Sequence, residues 1–197
     1  MIEVALRLII QELDQALRLQ VPGSGGSLVA LSGLADGAGS PQPDIAGKVV
    51  AFLVNIERED IPSRAPRSLD AGQDRLAVLQ PPVHLNLMVM FAANLGGAPY
   101  DEALKQISAV IAFFQGKPVF NAANTPGMDA GLDRLSVEIE NLSTTDLSNL
   151  WGVLGGRYLP SVLYRVRMVT IDSGRLISQP RRVERTSAQA LPQGAPA

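Results

Sequence analysis

The sequence predicts an α/β (α+β) domain in which a mixed, largely antiparallel sheet is flanked by about three helices. Three observations carry this. The first residues repeat apolar side chains at helical spacing, four later stretches are β-patterned, and the order is helix, strand, strand, helix, strand, helix, strand.

The opening segment, MIEVALRLIIQELDQALRL, places Ile2, Leu6, Ile9, Ile10, Leu13 and Leu17 on one stripe of a helix. Glu3/Arg7 and Asp14/Arg18 are acid-to-base pairs four residues apart, the favourable order on a helix. Pro22 and Gly23 stop it. Residues 22–47 read as a Gly/Ser/Pro loop, with an edge strand in the apolar patch from Leu28 to Leu31.

Residues 48–58, KVVAFLVNIER, are apolar on both alternating faces. Val49, Ala51 and Leu53 form one, and Val50, Phe52, Val54 and Ile56 the other, as a strand covered on both sides requires. Residues 59–82 are polar and proline-bearing and read as a long loop. Residues 83–93 alternate again, with Val83, Leu85, Leu87, Val89 and Phe91 opposite His84, Asn86, Met88 and Met90.

A helix over 100–115 follows Pro99, with Asp101 and Glu102 in its first turn. Its expected buried stripe is Ala103, Leu104, Ile107, Val110, Ile111 and Phe114. A short extended piece at 118–120 leads to a loop and then to a half-exposed strand at 135–141. There Leu135, Val137 and Ile139 oppose Ser136, Glu138 and Glu140. A short helix over 144–154 begins at a Ser143/Asp146 capping pattern and closes at Gly155-Gly156. The last strand, 161–172, sets Val162, Tyr164, Val166 and Met168 against Ser161, Leu163, Arg165 and Arg167. These elements define a domain over 1–172. The segment 173–197 is a Pro/Ala-containing tail with four arginines (Arg175, Arg181, Arg182, Arg185) against one acid, Glu184.

Composition narrows the function. The chain has 197 residues and a net charge of −2, so no global basic field draws it to nucleic acid. It has no cysteine, which excludes disulfides, thiolate metal sites and a cysteine nucleophile. No segment has the length of a membrane span or the form of a signal peptide. A mean hydropathy of +0.14 suggests apolar surface reserved for partners.

The chemistry of catalysis is sparse. His84 is the only histidine, and no nucleophile elbow accompanies it. PGSGG at 22–26 has no Lys-Ser/Thr after it and is not a phosphate loop. Glu138 and Glu140 share a strand face, where solvent-exposed or interface charge is the common reading. No cofactor or metal motif is found. The remaining candidates are for interfaces: Arg165 and Arg167 from one strand face, Trp151 as an apolar anchor, and the arginines of the tail.

Three features taken together show a resemblance. They are the strand-loop-helix ending in FFQGKPVF, the LSNLWG helix followed by LPSVLYRVR, and the N-terminal helix leading into KVVAFLVNIER. Over roughly 1–172 the chain resembles the tail-terminator, or cap, family of extracellular phage-tail-like contractile injection systems of the antifeeding-prophage and virulence-cassette type. The resemblance implies a twisted sheet flanked by helices and a structural, non-enzymatic role. It implies a homo-hexameric ring that ends the inner tube and joins the last layer of sheath. Its partners would be its own copies, the inner tube protein and the sheath protein, with no nucleic acid, membrane or cofactor. Assembly would be cytoplasmic, within a particle that is released. The chain ends soon after this region without a membrane-anchoring segment, as expected of a member not attached to a membrane. A tail-completion or connector ring of a related phage-like particle is the alternative. A small hydrolase using His84 or Glu138/Glu140 is a minor one.

Overall fold

The computed structural model describes residues 1–20, 25–35, 40, 42–59, 67–70, 76–155 and 158–178. Among them the elements run α1 (Ile2–Gln20), β1 (Val29–Leu31), a single 3-10 turn (Pro43–Ile45), β2 (Lys48–Arg58), β3 (Arg67–Asp70), β4 (Leu76–Leu79) and β5 (Val83–Asn94). Then come α2 (Tyr100–Gly116), β6 (Val119–Asn121), β7 (Arg134–Glu140), α3 (Thr144–Val153), β8 (Ser161–Ile171) and β9 (Leu176–Ser178). The chain divides into two units, 1–60 with 83–171, and 61–82 with 172–197.

The larger unit is a six-stranded sheet in the order β1-β2-β5-β8-β7-β6. Only β1 runs parallel to its neighbour, and the other pairs are antiparallel. This is the α+β, largely antiparallel sheet expected from the sequence. One face is closed by α1 and α2. Leu6, Ile9, Leu13 and Leu17 of α1 and Ala103, Ile107, Val110 and Phe114 of α2 pack on Val49, Ala51, Leu87, Val89, Phe91, Tyr164 and Val166. Phe114 is the hub of this layer, with ring centroids 5.2 Å from Phe91 and 4.7 Å from Tyr164. The opposite face carries a smaller core of Val50, Phe52, Met88, Met90, Ala92 and Leu163 under Trp151 of α3. Alternation along each strand separates the two cores.

Two bulges correct the expected faces. In β2 the register slips between Leu53 and Asn55, so Ile56 pairs with Leu87 on the helix face instead of sharing a face with Val50 and Phe52. In β8, Val166 pairs with Leu87 and Val169 with Leu85. A three-residue step thus opposes a two-residue one, and Val169 joins the buried core beside Val166. The side chain of Met168, expected on that face, lies outside the described residues. The stripe expected on α2 is also narrower than predicted. Leu104 is 44% and Ile111 38% exposed, because they lie on a flank of the helix rather than toward the sheet.

The capping pattern of α3 is present: Ser143 Oγ accepts from the Asp146 N–H at 3.1 Å. Gly155, at φ +101°, lets the chain reverse after the helix where a side chain would strain it.

The smaller unit holds a second sheet in the order β3-β4-β9, wholly antiparallel. The Gln80 N–H donates to the Arg175 carbonyl at 2.8 Å beside it. The region read as one long loop therefore contributes two strands, and the start of the tail a third. Runs of three or four residues are too short to show a period, and pairing rather than patterning defines them.

Candidate interaction face and sheet edges

The candidate arginines of β8 occupy the part of the sheet beyond α3. Arg165 pairs with Glu140 of β7 at 3.2 Å. Arg167 is held by Glu59, just past the end of β2, through Nη2 to Oε1 at 3.0 Å and Nε to Oε2 at 3.3 Å. Its remaining nitrogen, Nη1, reaches Glu138 at 3.7 Å. The forked guanidinium suits this bidentate grip on one carboxylate. Register explains the meeting. Glu138 lies opposite Arg165 and Glu140 opposite Leu163, so the acids and arginines emerge on one face of neighbouring strands.

Glu59 is drawn in by the Glu59 N–H bond to the His84 carbonyl at 2.9 Å, which continues the β2–β5 ladder one residue past β2. Hydrogen bonds from Arg167 and then from the Asn86 amide hold its carboxyl below the usual glutamate range. Asn86, only 6% exposed, is a buried polar side chain of β5. The network thus joins β2, β5, β8 and β7. It contains three carboxylates, Glu59, Glu138 and Glu140, and two guanidiniums. Glu138 is the least compensated, since Arg167 already serves Glu59 at shorter range. Sequence reasoning singled out the two arginines but neither Glu59 nor Asn86. Glu59 lies beyond the β-patterned run, and nothing local marks it.

The other candidates fall elsewhere. Trp151 is 3% exposed and anchors α3 in the smaller core. His84 shares a hydrogen bond between Nδ1 and Thr170 Oγ1 at 3.0 Å. Arg175 lies in the smaller unit, before β9, and its side chain is exposed. Arg181, Arg182 and Arg185 lie outside the described residues. Among the described residues no three His, Cys, Asp or Glu side chains gather as a metal site, and no helix is long and apolar enough to cross a membrane.

The two edges of the larger sheet differ. At β1, the Val29 N–H donates to Asp14 Oδ1 of α1 at 3.0 Å, and the neighbouring Leu28 N–H donates to the same oxygen at 2.6 Å. The Ser27 hydroxyl, also 3.0 Å from Asp14, donates to the Val29 carbonyl at 2.6 Å. Leu28 and Ser32 bond to β2, so Val29 and Leu31 turn their backbones outward, and both polar groups of Val29 are covered. At the opposite edge, β6 pairs with Arg134–Ser136 of β7 and the Val137 N–H reaches the Pro118 carbonyl, while Glu138–Glu140 have no neighbour there among the described residues.

This architecture has a counterpart among known families. The model of the Pvc16 N-terminal domain matches residues 5–185. The chain belongs to the Pvc16 N-terminal domain family. Two solved structures are similar to this Pvc16-type domain. One is a sheath/tube terminator of an extracellular contractile injection system, PVC, in the extended state. It has a TM-score of 0.58 and 16% identity, over 95% of this chain and 65% of that one. The other is the tube-terminating cap of the anti-feeding prophage, with a TM-score of 0.50 and 16% identity, over 94% of this chain and 59% of that one. The Pvc16-type chain therefore spans about three-fifths to two-thirds of their length. At this identity the likeness shows a shared fold. No curated protein matches the chain.

Proposed function

We propose that this chain is the structural cap, or tail terminator, of a contractile injection system. In this reading its copies form a six-fold ring that ends the inner tube and joins it to the last layer of sheath. It acts by shape and contact, without a catalytic step or cofactor. The particle is assembled in the cytoplasm and then released. The observation that carries the reading is membership of the Pvc16 N-terminal domain family over residues 5–185, supported by the fold shared with two terminators.

A ring subunit needs complementary patches on opposite sides, because its contacts are heterologous. Arg165 and Arg167 keep about a third of their side chains exposed while held by internal acids, which suits a charged seam. The segment 173–197, whose first part supplies β9, is proposed as a basic tail following the 1–172 region, with Arg175, Arg181, Arg182 and Arg185 docking along an acidic neighbour.

Electron microscopy of particles from cells with and without the protein tests the assignment. Expected on its loss are tubes of uncontrolled length or sheaths that fail to stay extended. Density for it is expected only at the end distal to the baseplate. Particles of normal length with no such density would overturn the cap reading.

A further inference from the structure

The open edge of β7 has an identifiable cause. The Val137 N–H donates to the Pro118 carbonyl at 2.8 Å, so Val137 turns its backbone toward β6. In an antiparallel ladder the returning bond would come from the N–H of residue 118, and proline has none. The ladder stops there. Alternation then points the N–H and C=O of Ile139, like those of Val137, away from β8. Among the described residues nothing pairs with Ile139 at this edge.

The side chains beside that edge guard it against an acidic strand but leave it open to a basic one. Ile139 is 53% exposed on the helix face, opposite Tyr164 in the register, and Tyr164 touches Phe114 of α2. An apolar side chain entering beside Ile139 would extend an existing core. On the other face, Glu138 is 56% exposed and shares its arginine with Glu59. Natural edges are commonly protected by charged side chains, proline or a covering element, and β1 has a cover of the last kind at Val29, in Asp14 and Ser27.

We propose that the β7 edge at Glu138–Glu140 receives an extended strand of another chain. That strand carries an apolar residue opposite Ile139 and basic residues opposite Glu138 and Glu140. A second copy of β7 does not fit, because two-fold pairing about Ile139 sets Glu138 and Glu140 against their own kind, and like charges directly opposite destabilise a sheet. Main-chain bonds supply the attachment and the alternating side chains the selectivity. The inference stands on the edge itself and does not depend on the cap assignment.

The test uses the full chain and a fluorescent eight-residue peptide of alternating lysine and valine. A second peptide of the same sequence is N-methylated at each valine, the residue whose N–H would face Ile139. Binding is read by anisotropy and located by amide hydrogen exchange. Expected are slowed exchange at Ile139, at least tenfold weaker binding of the methylated peptide, and a similar loss in Ile139→Pro, whose missing N–H faces away from β8. Glu138→Lys should weaken the unmodified peptide further as salt is lowered. Equal binding of the two peptides would reduce the effect to charge attraction and overturn the proposal. Exchange at Ile139 that slows with protein concentration, without peptide, would place a second copy at the edge and overturn it as well.

Discussion

The two faces of the β1-β2-β5-β8-β7-β6 sheet carry alternate residues of the same strands, yet they are finished differently. On one, α1 and α2 close a continuous apolar layer from Val29 to Val169. On the other, α3 covers only the part around Trp151, and the remainder is charged: Glu59, Glu138, Glu140, Arg165 and Arg167. The difference separates two tasks. The first face supplies most of the stability through apolar burial. The second trades part of its core for specific polar contacts, the arrangement that the charged seam proposed above would use.

Removing the hub of the closed face should have the largest effect. Phe114→Ala leaves Phe91, Phe113 and Tyr164 around a cavity, at a cost of about 3–5 kcal/mol. Chemical denaturation should show a lower midpoint with an unchanged slope. The matching change on the other face, Trp151→Ala, removes a comparable volume. Its companions Leu147, Leu150 and Leu154 are only partly buried, so α3 can detach by itself. We expect about 2–3 kcal/mol, with amide exchange accelerating in α3 before it does in α1 or α2. Uniform acceleration throughout the larger unit would show that the faces are not separable.

Much of this contrast was legible in the sequence. The alternation of 83–93 and the stripe of α1 placed the cores correctly, because burial on one face imposes a period that short-range chemistry cannot hide. What was not legible depended on partners distant in sequence. The bulges that return Ile56 and Val169 to the helix face leave no local mark. The grip of Glu59 on Arg167 spans 108 positions. The strands at 67–70, 76–79 and 176–178 exist through pairing alone. The end of the β6 ladder has a local cause in Pro118, although the sequence predicts only a short extended piece at 118–120.

Asp14 shows how the closed face is tied at its margin. Glu3/Arg7 and Asp14/Arg18 look equivalent in sequence, acid-to-base pairs on one helix. Glu3 and Arg7 are exposed and bond to each other at 2.7 Å. Asp14 instead turns one oxygen to the backbone of Leu28 and Val29, with Arg18 at 3.6 Å from the other. Asp14→Ala should cost about 1.5–2.5 kcal/mol by leaving those part-buried N–H groups unpaired. Faster exchange at Val29 than at Val49 would locate the damage at the edge, and unchanged exchange at Val29 would deny the clip.

The smallest expected effect, and the one that best separates the faces, comes from Glu59→Gln. The side chain remains isosteric and still accepts one hydrogen bond, but the charge facing Arg167 is lost. Both partners retain some solvent, so screening limits the cost to about 1 kcal/mol. The pH dependence carries the test. Arg167 and Asn86 depress the Glu59 carboxyl in the folded state. Its contribution is therefore fully present above the ordinary glutamate value near about 4.3 and is lost as pH falls through the lower folded value. The stability gap between wild type and Glu59→Gln should be constant above about pH 6 and close on acidification. Phe114→Ala, on the apolar face, should show a gap that does not follow this titration. A gap for Glu59→Gln that persists unchanged into acid would mean that the network is held by shape rather than charge, and that the two faces differ less than their residues suggest.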